Sequence, residues 1–499
     1  MTNVVYWNIE NFGINKVNNP SRKRPRYGEG GRCGGNLPAV AALQRRNHIL
    51  TILRATQPDI FVLIEVSASA TGAGDLAPAT GGLQGAIFLL QQLRNDPTDP
   101  NRDAWRMVPP LKVGTDGRTE SVAVLYRGIS GTAGTATEVR RYFTGPNVWT
   151  GGGVSAVAAG AVPAAYPAGG GGAPNIQDLL NPQGQPARTI PAGAQYNGGL
   201  AEGMAAARIA FAPAPAPAVP PVVGGLVNFN GLRQPFMVSF VETNQANVIT
   251  RNLTLFAVHA PPNHGGATNF INILLRGVLD VAAAPAGAPH NEIKLICGDF
   301  NLNAIYAQPP GAGGRTTAYD QLRTINYVPL LNPPPAMPVA PNLTLDAYQG
   351  YLATHIRPKR TKQQLTQQSR FLWSDNTAGG ALLAAPYPGY NYIGSDMVSN
   401  FFSIDNMLVN PLVPANNYQF TVMNPVSGTP FTAAGAMPPD VPIGTRPLPA
   451  QFTNLPAGMA WPQSPAAVYA VGQARTLNGW ANYGYLRSTS DHLALFAVL

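Results

Sequence analysis

Lys294-Leu295-Ile296-Cys297-Gly298-Asp299-Phe300-Asn301 reads as a short buried strand that runs directly into a polar turn. The apolar run Leu295 to Cys297 has the length and bounding residues of a core strand. Gly298, Asp299 and Asn301 are residue types that favour turns. The same pattern recurs along the chain. Asn8 follows Val4 to Trp7, Glu65 follows Ile60 to Ile64, and His259 follows Leu255 to Val258. Asp491 and His492 stand immediately before the apolar run Leu493 to Val498. A carboxylate at the end of a buried strand is costly unless it is paired or coordinates a cation. Several such ends on one rim of a sheet would form a hard-oxygen site suited to Mg²⁺. The absence of any Cys/His cluster in the sequence argues against a zinc site.

Further strands are expected at Ser121 to Tyr126 and Phe236 to Val241. Helical patterns lie between strands at Leu37 to Ala55, Leu83 to Arg94 and Asn269 to Val281. Strands predominate with helices interspersed, which predicts a layered α/β or α+β domain. Long stretches without such patterning separate the elements. Gly151 to Asn230 carries only four charged residues and includes the Ala-Pro alternation of Ala212 to Pro221, which favours extended chain. Ala304 to Pro341 and Pro411 to Pro465 are also Pro-rich. Strand-like motifs resume after each stretch, so one domain spanning 1–499 is expected. Its insertions would cover about 14–36, 130–232, 304–400 and 411–480.

Only 11% of the residues are charged, and the formal net charge is +9, which favours polyanionic partners such as nucleic acid or an acidic membrane surface. Six basic residues against one acidic residue fall between Lys16 and Arg32, including Arg22, Lys23, Arg24 and Arg26. That segment leaves the strand carrying Asn8, so these four side chains are candidates for contacts to a phosphate backbone. Two cysteines, Cys33 and Cys297, cannot supply a disulfide framework. The chain opens on a strand-like stretch with no signal segment, and no apolar run is long enough to span a bilayer. The expectation is a soluble, monomeric protein of the cytoplasm.

Taken together, the motifs resemble one family. They are Trp7-Asn8-Ile9-Glu10-Asn11-Phe12, Ile64-Glu65-Val66, Glu120 to Arg127, Val258-His259-Ala260-Pro261, Gly298-Asp299-Phe300-Asn301 and Ser490-Asp491-His492. In this order they are similar to the motif set of the endonuclease/exonuclease/phosphatase family, which includes deoxyribonuclease I-like phosphodiesterases. The resemblance implies a four-layered α/β sandwich: two packed mixed sheets flanked by helices. It also implies Mg²⁺ as cofactor, with Mn²⁺ or Ca²⁺ as substitutes. Glu65 would be the primary metal ligand, with Asn8 beside it and Asp491 in support. Asp299 and Asn301 would contact the attacking water and the scissile phosphate. His492 would be general base or phosphate contact, oriented by Asp405, and His259 the second histidine, paired with Glu120. The chain departs from the family in long segments after Glu120, Asn301 and Asp405. It also places Asn406 where an aromatic or aliphatic residue is commoner. His48, His264, His290 and His355 match no motif and are expected to be structural or exposed.

The expected activity is metal-dependent hydrolysis of phosphodiester bonds in DNA, with RNA as a second nucleic-acid substrate. The alternative is a phosphoesterase of the same fold acting on a phospholipid headgroup or small phosphate ester. A binding protein with a dead site is disfavoured, because every expected catalytic position is filled.

Overall fold

The computed structural model describes residues 1–18, 40–68, 81–108, 110, 112–114, 119–143, 218–219, 225–226, 232–233, 235–245, 249–262, 264–277, 279–282, 284–285, 291–302, 305–306, 316–317, 319–331, 354–356, 377–378, 381–382, 401–402, 404–411, 418–430 and 486–499. Arg22, Lys23, Arg24, Arg26 and His290 lie outside them, as does most of 151–230.

The first sheet is built from β1 (Asn3–Phe12), β2 (Ile60–Ser67), β3 (Trp105–Met107), β4 (Lys112–Val113) and β5 (Glu120–Arg127). The second begins with β6 (Ile129–Ser130) and β7 (Val139–Phe143). It continues through β8 (Phe236–Asn244), β9 (Ile249–His259), β10 (Ile293–Asp299), β11 (Val328–Pro329) and β12 (Asp405–Pro411). The chain then returns to the first sheet with β13 (Gln419–Val422) and β14 (Leu495–Val498). Each sheet has seven strands: β13-β14-β1-β2-β5-β3 with β4 also on β5, and β11-β12-β10-β9-β8-β7-β6. Both are mixed, because β1 and β2 are parallel, as are β9 and β10, among antiparallel neighbours.

Alternation along the strands sorts the side chains into layers. On the outer face of the first sheet, Val5, Trp7, Phe61 and Leu63 pack with α2 (Val40–Thr56) and α3 (Gly81–Arg94). A short helix, α1 (Ile14–Val17), follows β1. On the outer face of the second sheet, Phe256, Val258, Ile296 and Leu408 pack against α4 (His264–Gly277) and α5 (Leu279–Ala282). Between the sheets the inner faces meet: the rings of Tyr126 and Phe240 lie 5.1 Å apart, and Tyr6 Oη donates to Asp405. The result is a four-layered α/β sandwich. Among the described residues, no helix is long and apolar enough to cross a membrane.

At one end the sheets are clasped by charge. Arg141, fully buried on β7, donates to Glu242 Oε1 on β8 at 2.7 Å and reaches Asp59 before β2 at 3.6 Å. Arg251 Nη2 meets Glu242 Oε2 at 2.7 Å, and the hydroxyl of Thr2, ahead of β1, also donates to Glu242. Burial alone would raise the Glu242 carboxyl, but Arg141 and Arg251 outweigh it and hold it down at about 2. Its contribution to stability is therefore complete above the ordinary glutamate pKa of about 4.3. That contribution is lost as pH falls toward about 2. Glu242→Gln should cost about 3–5 kcal/mol, because it strands a buried guanidinium. Denaturant unfolding at neutral pH would show this loss, and the variant's stability should fall less steeply than wild type in acid.

Val139–Phe143 and Gln419–Val422 lie within ranges expected to be insertions, and here they form β7 and β13. The long stretches thus have described parts that belong to the two main sheets.

Candidate active site

The opposite end of the sandwich gathers the polar strand ends. His259, Asp299 and Asp405 are register partners in one row across β9, β10 and β12. Each is two residues or a multiple of two from an inner-face position, so all three project between the sheets. Asn8, two residues beyond Tyr6, does the same from β1. A glycine must precede Asp299. A Cβ on Gly298 would stand 2.1 Å from the Val258 carbonyl oxygen. Gly298→Ala should therefore push β10 away from β9, costing about 1–3 kcal/mol of stability. Because the same shift moves Asp299, activity should fall by more than the unfolded fraction explains; paired thermal melts and rate measurements check this.

Glu65 is delivered differently. Its backbone is left-handed, φ +55, at a register shift between Leu63 and Val66 in the β2–β5 pairing. Side chains at such bulges are re-aimed relative to simple alternation. Here the turn sends Glu65 toward β1: Oε1 accepts from Asn8 Nδ2 at 3.1 Å, and Oε2 from the backbone N–H of Asn11 at 3.1 Å. Asn301 is also left-handed, φ +51; its N–H donates to Asp299 Oδ1 at 2.8 Å and its amide to Ala260 O at 2.8 Å. Those bonds leave Asp299 Oδ2 for the centre of the site.

Three groups converge on that oxygen. Asn8 Nδ2 lies 3.3 Å from it, His492 Nε2 3.7 Å and His259 Nε2 3.8 Å. Each histidine is held from behind by a carboxylate. His492 Nδ1 meets Asp405 Oδ2 at 2.7 Å, and His259 Nδ1 meets Glu120 Oε1 at 2.9 Å. Burial opposes charge on His492, but Asp405, Asp491 and Asp299 outweigh it and raise its pKa to about 10. His259 is likewise raised: burial lowers it, and Glu120 more than offsets that. Burial, with Asp405 adding to it, pushes Asp299 up to about 7 despite the two histidines. For Asp491, burial is outweighed by His355, His492 and Arg487, which hold its carboxyl well below the usual range.

The supporting contacts explain how the last motif stays in place. Ser490 Oγ donates to Asn8 O at 2.6 Å and accepts from His492 N–H at 2.9 Å. Trp7 Nε1 donates to His492 O at 2.8 Å. Arg487 bridges Glu10, at 2.6 Å, and Asp491, at 3.2 Å. Lys16 of α1 donates to Glu10 O.

All nine expected site residues outside the basic segment therefore stand at one end: Asn8, Glu65, Glu120, His259, Asp299, Asn301, Asp405, Asp491 and His492. Two neighbours had no sequence signal. Arg233 Nε pairs with Glu120 Oε2 at 2.9 Å, from the approach to β8. His355 is buried against His492, with ring centroids 4.4 Å apart, and its Nε2 is 3.4 Å from Asp491 Oδ2. His48 is buried elsewhere, its Nδ1 3.3 Å from Thr489 Oγ1, and burial lowers its pKa to about 4. The His264 side chain lies outside the described residues.

Two observations bear on a metal. Glu65, His259 and Asp299 present ligand atoms mutually within 4.8 Å. Asn8 Oδ1 and one oxygen of Asp491 are buried without a hydrogen-bond partner. Two carboxylates and an imidazole, with orphaned oxygens on Asn8 and Asp491 nearby, fit a divalent cation.

The chain belongs to the endonuclease/exonuclease/phosphatase family, whose sequence pattern matches residues 5–411. Members of that family are hydrolases acting on phosphoester bonds, generally with a divalent metal. Solved structures similar to this chain include a truncated TDP2 of Caenorhabditis elegans, at 10% identity and TM-score 0.32, covering 99% of this chain and 96% of that one. Another is an endonuclease/exonuclease/phosphatase from Beutenbergia cavernae, at 10% identity and TM-score 0.33, covering 99% and 70%. A mannosyl-6-phosphatase from Bacteroides thetaiotaomicron matches at 8% identity and TM-score 0.32, covering 100% and 99%. Among curated proteins, no sequence matches the chain.

Proposed function

We propose that this protein is a Mg²⁺-dependent phosphodiesterase that cleaves nucleic acid, with DNA as the preferred substrate. The reading rests on one observation above all. Asn8, His259 and His492 all stand 3.3 to 3.8 Å from Asp299 Oδ2, which places three nitrogen groups around one carboxylate oxygen where a phosphate and an attacking water could be held beside them. Asp299, with its pKa near 7, can take the proton as water attacks phosphorus and the ester P–O bond breaks. His492, raised to about 10 by Asp405 and its neighbours, remains a donor at neutral pH, and Glu120 shifts His259 toward its charged form; both can bind the non-bridging oxygens as charge develops on them. Asn301 would position the phosphate beside Asp299. Glu65, Asn8 and Asp491 would hold the metal, which when bound supplies Lewis-acid stabilisation of the phosphoryl oxygen.

The preference for nucleic acid rests on charge. The basic segment containing Arg22, Lys23, Arg24 and Arg26 departs from α1, whose Lys16 is tied to Glu10 beside Asp491. A chain leaving that point can follow a phosphate backbone away from the site.

The test compares purified protein with Mg²⁺ or EDTA against supercoiled plasmid, single-stranded DNA, RNA and sphingomyelin. Mg²⁺-dependent cleavage of DNA, abolished by EDTA, is the expected result. Changing Arg22, Lys23, Arg24 and Arg26 together to Ala should weaken DNA binding and flatten its salt dependence, while sparing hydrolysis of a small phosphodiester. Turnover of sphingomyelin alone, or DNA affinity unaltered by the fourfold change, would overturn the nucleic-acid reading.

A further inference from the structure

His355 is far from every motif in the chain, yet it completes a second cluster at the rim. Asp491 offers one carboxylate oxygen to each of two imidazoles: Oδ2 is 3.4 Å from His355 Nε2, and Oδ1 is 3.6 Å from His492 Nε2. One ligand atom from each of the three residues lies within 4.8 Å of the other two, and all three residues are buried. A tetrahedral zinc with ligands at about 2.0–2.1 Å sets neighbouring ligand atoms about 3.4 Å apart. The 3.4 Å from His355 Nε2 to Asp491 Oδ2 matches that edge, while His492 Nε2 stands 3.6 Å from the other oxygen of the same carboxylate. The cluster is also built to hold its geometry. Thr354, next to His355, accepts from Leu493 N–H at 2.7 Å through its carbonyl and from Asp405 N–H at 2.9 Å through its hydroxyl. His492 Nδ1 is backed by Asp405, as metal-bound imidazoles commonly are.

We propose that His355, Asp491 and His492 form a binding site for a zinc-class transition-metal ion, which shares Asp491 with the Mg²⁺ position at Glu65 and Asn8 but draws its other ligands from two imidazoles, and that its occupancy inhibits the enzyme. Two imidazoles and one carboxylate select a softer ion than Mg²⁺ does. A metal on His492 Nε2 replaces the proton there, so the imidazole no longer donates to phosphate. Arg487 opposes the cation, but its charge is already shared with Glu10, and Asp299 and Asp405 lie close by. The inhibitory half of the proposal rests on the catalytic reading of His492; the binding half does not.

The probe is Co²⁺, added to the metal-free full chain and followed by visible absorption, with Zn²⁺ used to displace it. Wild type should bind one equivalent with the intense band of four-coordinate Co²⁺. His355→Gln should lose that band, and Zn²⁺ affinity should fall at least about tenfold. His355→Cys should keep the band and add thiolate-to-cobalt charge transfer, which also guards against a variant that merely misfolds. With Mg²⁺ present, micromolar Zn²⁺ should inhibit wild type but not His355→Gln, each read against its own zinc-free rate. No four-coordinate band in wild type, or a band kept by His355→Gln and lost in Glu65→Gln, would overturn the site. Zinc inhibition equal in wild type and His355→Gln would overturn the inhibitory role. A protein that binds Co²⁺ as expected but hydrolyses no phosphodiester would leave the metal site standing and sink the proposed function instead.

Discussion

His492→Ala should lower phosphodiester hydrolysis by at least about a hundredfold, the usual scale for loss of a positioned proton donor or base. The imidazole is one of the three groups aimed at Asp299 Oδ2, and a water in its place carries no charge for a phosphate oxygen. The substitution also strands Asp405, which is fully buried and keeps the Tyr6 hydroxyl at 3.0 Å. Breaking such a pair costs about 3–5 kcal/mol, so a rate loss alone could reflect unfolding. The double change His492→Ala with Asp405→Asn removes the stranded charge. It should recover much of the lost stability and none of the activity. Steady-state rates beside denaturant unfolding separate the two effects. A single variant that is folded and within a few-fold of wild type in rate would remove His492 from the reaction.

Glu65→Gly should be as damaging to turnover, again by about a hundredfold or more, but with the opposite sign in stability. Glutamate at φ +55 sits where only glycine is comfortable, at an expense of order 1–3 kcal/mol. Its carboxylate also faces Asp299 across Asn8. Glycine relieves both the backbone strain and the like-charge crowding, so thermal unfolding should occur no lower than in wild type. Glu65→Ala relieves the like-charge crowding but keeps the backbone strain, and serves as the control: equally inactive, and melting below Glu65→Gly. A Glu65→Gly protein that melts well below wild type would show that the carboxylate braces the fold rather than the site.

The strands of the core were legible because they are buried on both faces. Val4 to Trp7, Ile60 to Ile64 and Leu253 to Val258 read as continuous apolar runs, and each lies within a longer strand. Asp405–Pro411 was not legible as a strand, because asparagines and a proline interrupt it. Its Asn406 amide instead exchanges two hydrogen bonds with the backbone of Leu331, at 2.9 and 3.0 Å, which explains a polar residue at a position usually apolar in the family. The site residues could be named from short motifs, yet nothing local joins Glu120 to His259 or Asp405 to His492. Those pairs exist only because strand register and sheet packing bring them together. Arg233 and His355 were opaque for the same reason: each is an isolated polar residue in weakly patterned chain, and only tertiary contact gives it a partner. His355 was expected to be structural or exposed, and it is buried against His492.

Asn8, Glu65 and Glu120 ride on one sheet, while His259, Asp299 and Asp405 ride on the other. The candidate site residues are therefore spread across a seam, and their spacing depends on the alignment of two slabs that touch mainly through apolar side chains. Apolar contact resists separation strongly but resists sliding only through the interlocking of its shapes. Thr2, Arg141 and Glu242 pin the seam at the far end, so the two slabs behave like the arms of a pair of tongs, riveted at the handle and working at the tips. Wear at the rivet would first be felt at the tips. A lesion at Glu242, the whole length of a strand away from His259, can in this way blunt the jaws.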